Sequence, residues 1–227
     1  LAWSPDSRRI AWLRAGEDRW IWYTPNEIAV GDVGSGVART PAVLDRWLYH
    51  PRWSPDGATL YALLEDDRVT TLVRFDPEAD AEEGPVVEQL THGLRFAYDY
   101  AVGPDGSLVV LDGDDNAPYE LRAIPLPEEG GEPRVLTHHN DWLAERRLAP
   151  TQEVSARSDG FDIHGLLLTP PDWDGVTPLP LIVRLHGGPV YQYSHEFMFD
   201  WQLYAAKGYA VLGVNPRGSS GRGFEFA

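Results

Sequence analysis

The sequence contains no cysteine among its 227 residues. Disulfides, thiolate metal sites and a cysteine nucleophile are therefore excluded. This usage fits a reducing compartment, and a cytoplasmic location is expected. No apolar run approaches the roughly 18 residues of a membrane-spanning helix, and no signal peptide opens the chain. Basic residues are scarce: 19 Lys and Arg stand against 35 Asp and Glu, for a net charge of −16, and Lys207 is the single lysine. Such an acidic balance argues against nucleic acid or an anionic membrane as a partner. There is also no initiating methionine. From the opening at Leu1 we expect the chain to be part of a longer polypeptide.

Apolar and aromatic residues are plentiful. Hydrophobic residues make up 43% of the chain, with 9 Trp, 10 Tyr and 7 Phe, ample for a packed core. Within residues 1–150, Trp3-Ser4-Pro5-Asp6-Ser7 recurs as Trp53-Ser54-Pro55-Asp56-Gly57 and, more weakly, as Val102-Gly103-Pro104-Asp105-Gly106. Proline presets φ at the second turn position, Asp caps the turn with its side chain, and Gly supplies positive φ. Strands are predicted after the turns, at Arg9–Leu13, Thr59–Leu64 and Ser107–Leu111. Further strands follow in the second repeat, at Thr71–Phe75 and Val86–Leu90. A recurrence near every 50 residues points to four-stranded β-propeller blades, about three of them; the alternative is an unrelated run of β-hairpins.

Three local features of this half read as surface. Asp112-Gly113-Asp114-Asp115-Asn116 begins like a calcium loop, but Ala117 and Ala123 occupy the places of the required Gly and Glu, leaving an acidic turn. His138-His139 has no spaced third ligand, and 76–83 reads as an exposed acidic loop. No metal or cofactor site is expected.

A boundary is expected near residue 150, after the polar connector Arg146–Pro150. A hairpin then follows over Glu153–Arg157 and Ile163–Thr169, turning at Ser158-Asp159-Gly160. The apolar run Leu181–Leu185 reads as a buried strand that breaks into His186-Gly187-Gly188-Pro189. A helix is expected over Phe197–Lys207, with Phe197, Trp201 and Tyr204 on one face and Gly208 closing it. Tyr209–Val214 reads as a second buried strand. Strand, glycine turn and helix, with free turn amides, is how half of an oxyanion hole is built in α/β-hydrolases; a plain glycine turn is the alternative.

The repeated Trp-Ser-Pro-Asp-Gly turns, Ser158-Asp159-Gly160-Phe161-Asp162-Ile163-His164-Gly165, His186-Gly187-Gly188-Pro189, Phe199-Asp200-Trp201-Gln202, Ala206-Lys207-Gly208-Tyr209 and Asn215-Pro216-Arg217-Gly218-Ser219-Ser220-Gly221 together resemble the prolyl oligopeptidase (S9) family of serine peptidases, in its acylaminoacyl-peptidase branch. The resemblance implies a partial β-propeller at 1–150 followed by the N-terminal part of an α/β-hydrolase catalytic domain at 151–227. It also implies a serine peptidase of short peptides, N-acylated or unblocked, working through an acyl-enzyme. Its partners are then short peptides, the rest of the same polypeptide and, as often in the family, further copies of itself. Gly188 is the expected oxyanion donor and Gly187 the second choice. His186 either borders the acyl oxygen or packs at the strand end. Arg217 either meets substrate or fixes its glycine-rich loop through a salt bridge. No Gly-x-Ser-x-Gly elbow occurs in the chain, so no triad residue is assigned, and the segment alone is expected to be inactive. A β-propeller interaction module with an inactive hydrolase part, and a carboxylesterase, are the competing readings.

Overall fold

The computed structural model describes residues 1–20, 22–79, 87–188 and 190–227. Pro189, Val86 of the predicted strand and residues 80–83 of the acidic stretch lie outside the described residues.

The repeated motif builds the same turn each time. In the first two copies the serine hydroxyl donates to the aspartate two positions on, at 2.6 Å, and accepts the amide five positions on, at 2.9 Å (Ser4, Asp6 and Arg9; Ser54, Asp56 and Thr59). In the third, Ser107 supplies the hydroxyl to Asp105 from the far side, at 2.7 Å. These serine bonds first, and the adjoining backbone amides second, hold Asp6, Asp56 and Asp105 below the usual carboxylate range. Ser7, Gly57 and Gly106 close the turns with φ of 59°, 72° and 87°.

Each turn joins antiparallel strands. The first sheet contains β1 (Ala2–Trp3), β2 (Arg9–Arg14), β3 (Glu27–Asp32) and β4 (Ala38–Ala42), in chain order. The second contains β5 (Trp47–Trp53), β6 (Leu60–Asp66), β7 (Val69–Phe75), β8 (Glu88–Gln89), β9 (Phe96–Val102), β10 (Leu108–Asp114), β11 (Ala117–Ile124) and β12 (Arg134–Val135). A shared pattern locks neighbouring repeats together. Arg9 stacks on Trp53 and Arg52 on Tyr100, each at 4.6 Å. Trp53 and Tyr100 also donate to the carbonyls of Ala2 and His50.

The expected partial β-propeller of about three four-stranded blades, followed by the first part of an α/β-hydrolase domain, is not what forms. The described residues hold three sheets and one α-helix, and no ring closes. The second and third repeats are not separate blades but one eight-stranded sheet, ordered β12-β11-β10-β9-β7-β6-β5 with β8 beside β7. The reason is the shortness of β8. It pairs with β7 at Val73 and Arg74, and Leu90 and Thr91 just beyond it bond Leu72, while the far end of that edge takes Phe96 of β9 opposite Thr70. The motif fixes hairpins locally; ring closure is a property of how edges meet.

The third sheet contains β13 (Thr151–Ser158), β14 (Phe161–Leu168), β15 (Leu181–Arg184) and β16 (Ala210–Asn215), ordered β13-β14-β16-β15. Asp159 and Gly160 turn the β13–β14 hairpin with φ of 51° and 87°. β15 and β16 run parallel through the crossover helix α1 (Phe199–Ala206). The helix buries Trp201, Gln202 and Ala205 rather than the predicted face, since Tyr204 is exposed. Gly208, at φ 91°, lets its own amide reach Ala205 O and that of Tyr209 reach Tyr204 O, the paired bonds of a Schellman ending. Trp201 and Ala205 pack with Leu166, Leu168, Tyr193 and Val211 as a core on one face of this sheet. With a single helix, this mixed sheet is covered on one face and not on both.

Candidate active site

β15 delivers the chain to His186, Gly187 and Gly188 at its carboxyl end. Gly188 has φ 143°. An added Cβ would lie 2.7 Å from Val190 N, so the position requires glycine twice over. Gly187 has open space around its Cα. Both glycines are exposed and His186 is half-buried.

The His186 ring is held on three sides. Nδ1 lies 2.9 Å from Gly187 O and Nε2 lies 2.9 Å from Ser219 Oγ. Tyr191 and Tyr193 meet the ring edge to face at 5.7 and 5.5 Å, and Tyr193 leans on Trp201 at 5.0 Å. Ser219, fully buried, also places Oγ 2.6 Å from Pro216 O. Buried Asn215 clamps the backbone of Tyr193 from both sides, accepting its N–H at 2.8 Å and donating to its O at 2.9 Å. The structure thus joins His186, Gly187 and the 215–220 loop. The side chain of Arg217, within that loop, is engaged by Asp159 at 3.4 Å and lies above Phe161.

The loop 190–198 is seated on hairpin ends of the second sheet. Gln192 accepts from Arg68 N at 2.9 Å and donates to Asp66 O at 2.8 Å, and His195 N donates to Arg68 O. His195 is buried between Asp115, 2.7 Å from Nδ1, and Glu153, 3.2 Å from Nε2. Burial opposes its charge, but the bonds to Asp115 first and Glu153 second outweigh it and raise its pKa. Arg68 binds Glu153 at 3.1 Å and Asp67, which in turn meets His164.

The charges of two carboxylates, Glu196 and Glu65, act on Tyr191. Burial raises Glu65 above the usual range, opposed by bonds from Ser220 and Tyr49. Burial likewise raises Glu196, opposed by the bond from Tyr119. Burial and then the charges of Glu196 and Glu65 push the Tyr191 phenol up to about 12. His195, Glu65, Glu196 and Ser219 were not singled out in the sequence. The partners Asp115, Ser220, Tyr119 and His186, to which they are bonded in that order, lie 80, 155, 77 and 33 residues away, and no local spacing marks them.

No family model matches the sequence. It is 33% identical over 183 residues to the uncharacterized peptidase YuxL of Bacillus subtilis, covering 78% of this chain and 26% of that protein. It is 31% identical over 234 residues to the probable dipeptidyl-peptidase 5 of Arthroderma benhamiae, covering 97% of this chain and 30% of that protein. Among solved structures it is similar to the Pyrococcus horikoshii acylaminoacyl peptidase, with a TM-score of 0.81 and 24% identity over 98% of this chain and 33% of that one. The chain therefore spans less than a third of the length of these curated relatives. With peptidases matched over 78% and 97% of its length at 33% and 31% identity, the chain belongs to the prolyl oligopeptidase family of peptidases.

Proposed function

We propose that this chain supplies the oxyanion loop of a serine-type peptidase that hydrolyses short peptides, N-acylated or unblocked, through an acyl-enzyme. The observation that carries this reading is the backbone at Gly188. A left-handed glycine at the carboxyl end of a parallel strand, exposed and with room for a ligand at Gly187, is the form an oxyanion amide takes. Gly188 N–H is the donor in this reading and Gly187 N–H the second choice; His186 borders the site. A serine attacks the substrate carbonyl, an imidazole takes its proton, and the glycine amide meets the oxygen as it becomes negative. None of the 227 residues is assigned to the triad.

The test compares the wild-type protein carrying this chain with Gly188→Ala, on an acylated dipeptide, its unblocked counterpart and a simple ester. Alanine at φ 143° displaces the amide, so kcat on the preferred peptide should fall by about 10²–10³ with folding retained by circular dichroism. An unchanged kcat in a folded variant would remove Gly188 from the role. Faster turnover of the ester than of either peptide would replace the peptidase reading with the esterase one.

A further inference from the structure

We propose that a cavity between β5 and β9 is a subsite for the lysine or arginine side chain of a peptide substrate, with Glu65 recognising its charge, a reading that rests on the peptidase activity proposed above. The cavity measures about 390 Å³ and is lined by Tyr49, Leu63, Glu65, Phe96, Tyr98 and Asp99, among others. That volume lies within the range of small-molecule sites. Leu63 is buried and Tyr98 exposed, so the cavity has an apolar floor and an open aromatic rim.

The cavity adjoins the candidate active site. Ser219 and Ser220 are consecutive. Ser219 Oγ lies 2.9 Å from His186 Nε2, and the Ser220 hydroxyl donates to the Glu65 carboxylate. The loop that borders His186 is thus bonded to the cavity wall. Tyr191 continues the link: its ring meets His186 at 5.7 Å and its phenol feels the charge of Glu65. A substrate carbonyl at Gly188 therefore has the cavity beside it, within reach of a long side chain.

The lining selects a cation. Glu65 is mostly buried. Among the described residues, the groups that bond it are the neutral hydroxyls of Tyr49 and Ser220, not a cation. Asp99 differs, being answered by Arg52 at 3.0 Å and His50 at 3.6 Å. A carboxylate removed from water without a counter-charge is costly to keep ionised. An ammonium or guanidinium entering the cavity would supply that charge. The rings of Tyr49, Phe96 and Tyr98 suit both the alkyl stem and the charged head of such a side chain. A carboxyl held where burial opposes its charge, beside a site, is where a functional role is expected.

The experiment uses the full protein and short acetylated peptides in which one position at a time carries lysine or its neutral isostere norleucine. Acetylation leaves the side chain as the only ammonium. At one position kcat/KM should favour lysine, and Glu65→Gln should cut the lysine-to-norleucine ratio by about tenfold or more. Tyr98 is 56% exposed, so Tyr98→Ala should fold and also lower the ratio. A wild-type ratio near one at every position overturns the inference, and so does a ratio that survives Glu65→Gln. Binding is read apart from turnover by saturation-transfer NMR with pentylammonium chloride, and with neutral pentanol as control. Pentylammonium should give a signal with wild type that Glu65→Gln loses and that pentanol does not match. Equal pentylammonium signals in wild type and Glu65→Gln overturn the inference. If pentylammonium behaves as expected but no peptide is cleaved, the cation subsite stands and the peptidase reading alone fails.

Discussion

His195 Nδ1 lies 2.7 Å from the carboxylate of Asp115, 80 residues away in the chain, inside a contact from which solvent is almost excluded. With Glu153 on the other nitrogen, this imidazole ties a hairpin end of the second sheet, a strand of the third and the loop beside His186 to one point. Its raised pKa makes the tie pH-dependent.

A group whose folded pKa exceeds its unfolded value stabilises fully below the unfolded pKa, about 6.5 for histidine, and loses that contribution as pH rises through the folded value. Thermal melts should therefore show wild type losing stability from about pH 6.5 upward through the elevated pKa, a loss that His195→Gln and Asp115→Asn each reduce. Each pK unit of elevation is worth about 1.4 kcal/mol, and 1 kcal/mol moves the melting temperature of a chain this size by roughly 2–4 °C. Identical pH slopes in wild type and His195→Gln would show that the imidazole does not carry the effect.

Glu65 is the opposite case within the same region. Burial raises its carboxyl, with Ser220 and Tyr49 bonding the charged form. Stability therefore falls as pH rises from the ordinary glutamate value through the elevated one, and the cost disappears at acidic pH, where the carboxyl is protonated in both folded and unfolded chains. Glu65→Gln should raise the urea midpoint relative to wild type at pH 8 and lose that advantage at pH 4, so the difference between the two proteins should grow with pH. A midpoint lowered equally at both pH values would mean that the bonds to Ser220 and Tyr49 outweigh desolvation.

Under α1, Gly213 of β16 faces Trp201 and Tyr193, and an added Cβ would collide with the indole. Trp201 is 1% exposed. Trp201→Ala should cost about 3–5 kcal/mol, and Gly213→Ala about 1–3 kcal/mol through overpacking. Because the two sites touch, Gly213→Ala combined with Trp201→Phe should be less damaging than the sum of the single changes, with a coupling of about 0.5–3 kcal/mol in urea denaturation. Strict additivity would show that the strand shifts to absorb the methyl group.

What could be read in the sequence divides by range. The Ser-Pro-Asp turns, the 158–160 hairpin, the strands β15 and β16 and the glycine end of α1 depend on residues within a few positions of one another, and their patterns announced them, although β15 is not the buried strand expected, since Leu181, Val183 and Leu185 are exposed. The second and third repeats did not form the separate blades expected of them because a two-residue β8 leaves part of an edge open, a consequence of strand length that a repeat motif does not encode. The buried face of α1 was misread because Tyr204 shares a helical face with Trp201 yet looks outward. The His195 and Glu65 networks depend on Asp115 and Ser220, 80 and 155 residues distant, and only the folded chain brings these together.

The two glycines of the loop should respond differently to the same methyl group. At Gly187 a Cβ meets nothing within 4 Å, and φ is not in the left-handed region. At Gly188 φ is 143°, and the Cβ would press on the Val190 amide at 2.7 Å. Gly187→Ala should therefore leave the melting temperature unchanged within error. Gly188→Ala should lower stability by about 1–3 kcal/mol through backbone strain, unless the loop relaxes and releases it. Both glycines are on the surface, so neither variant should abolish folding, and hydrogen exchange should place the change at 186–191 rather than in the core around Trp201. Equal melting temperatures for the two variants, with unchanged exchange at Tyr191, would mean that the 187–188 backbone tolerates a side chain at either position, and that the φ of Gly188 is a preference of the loop and not a requirement.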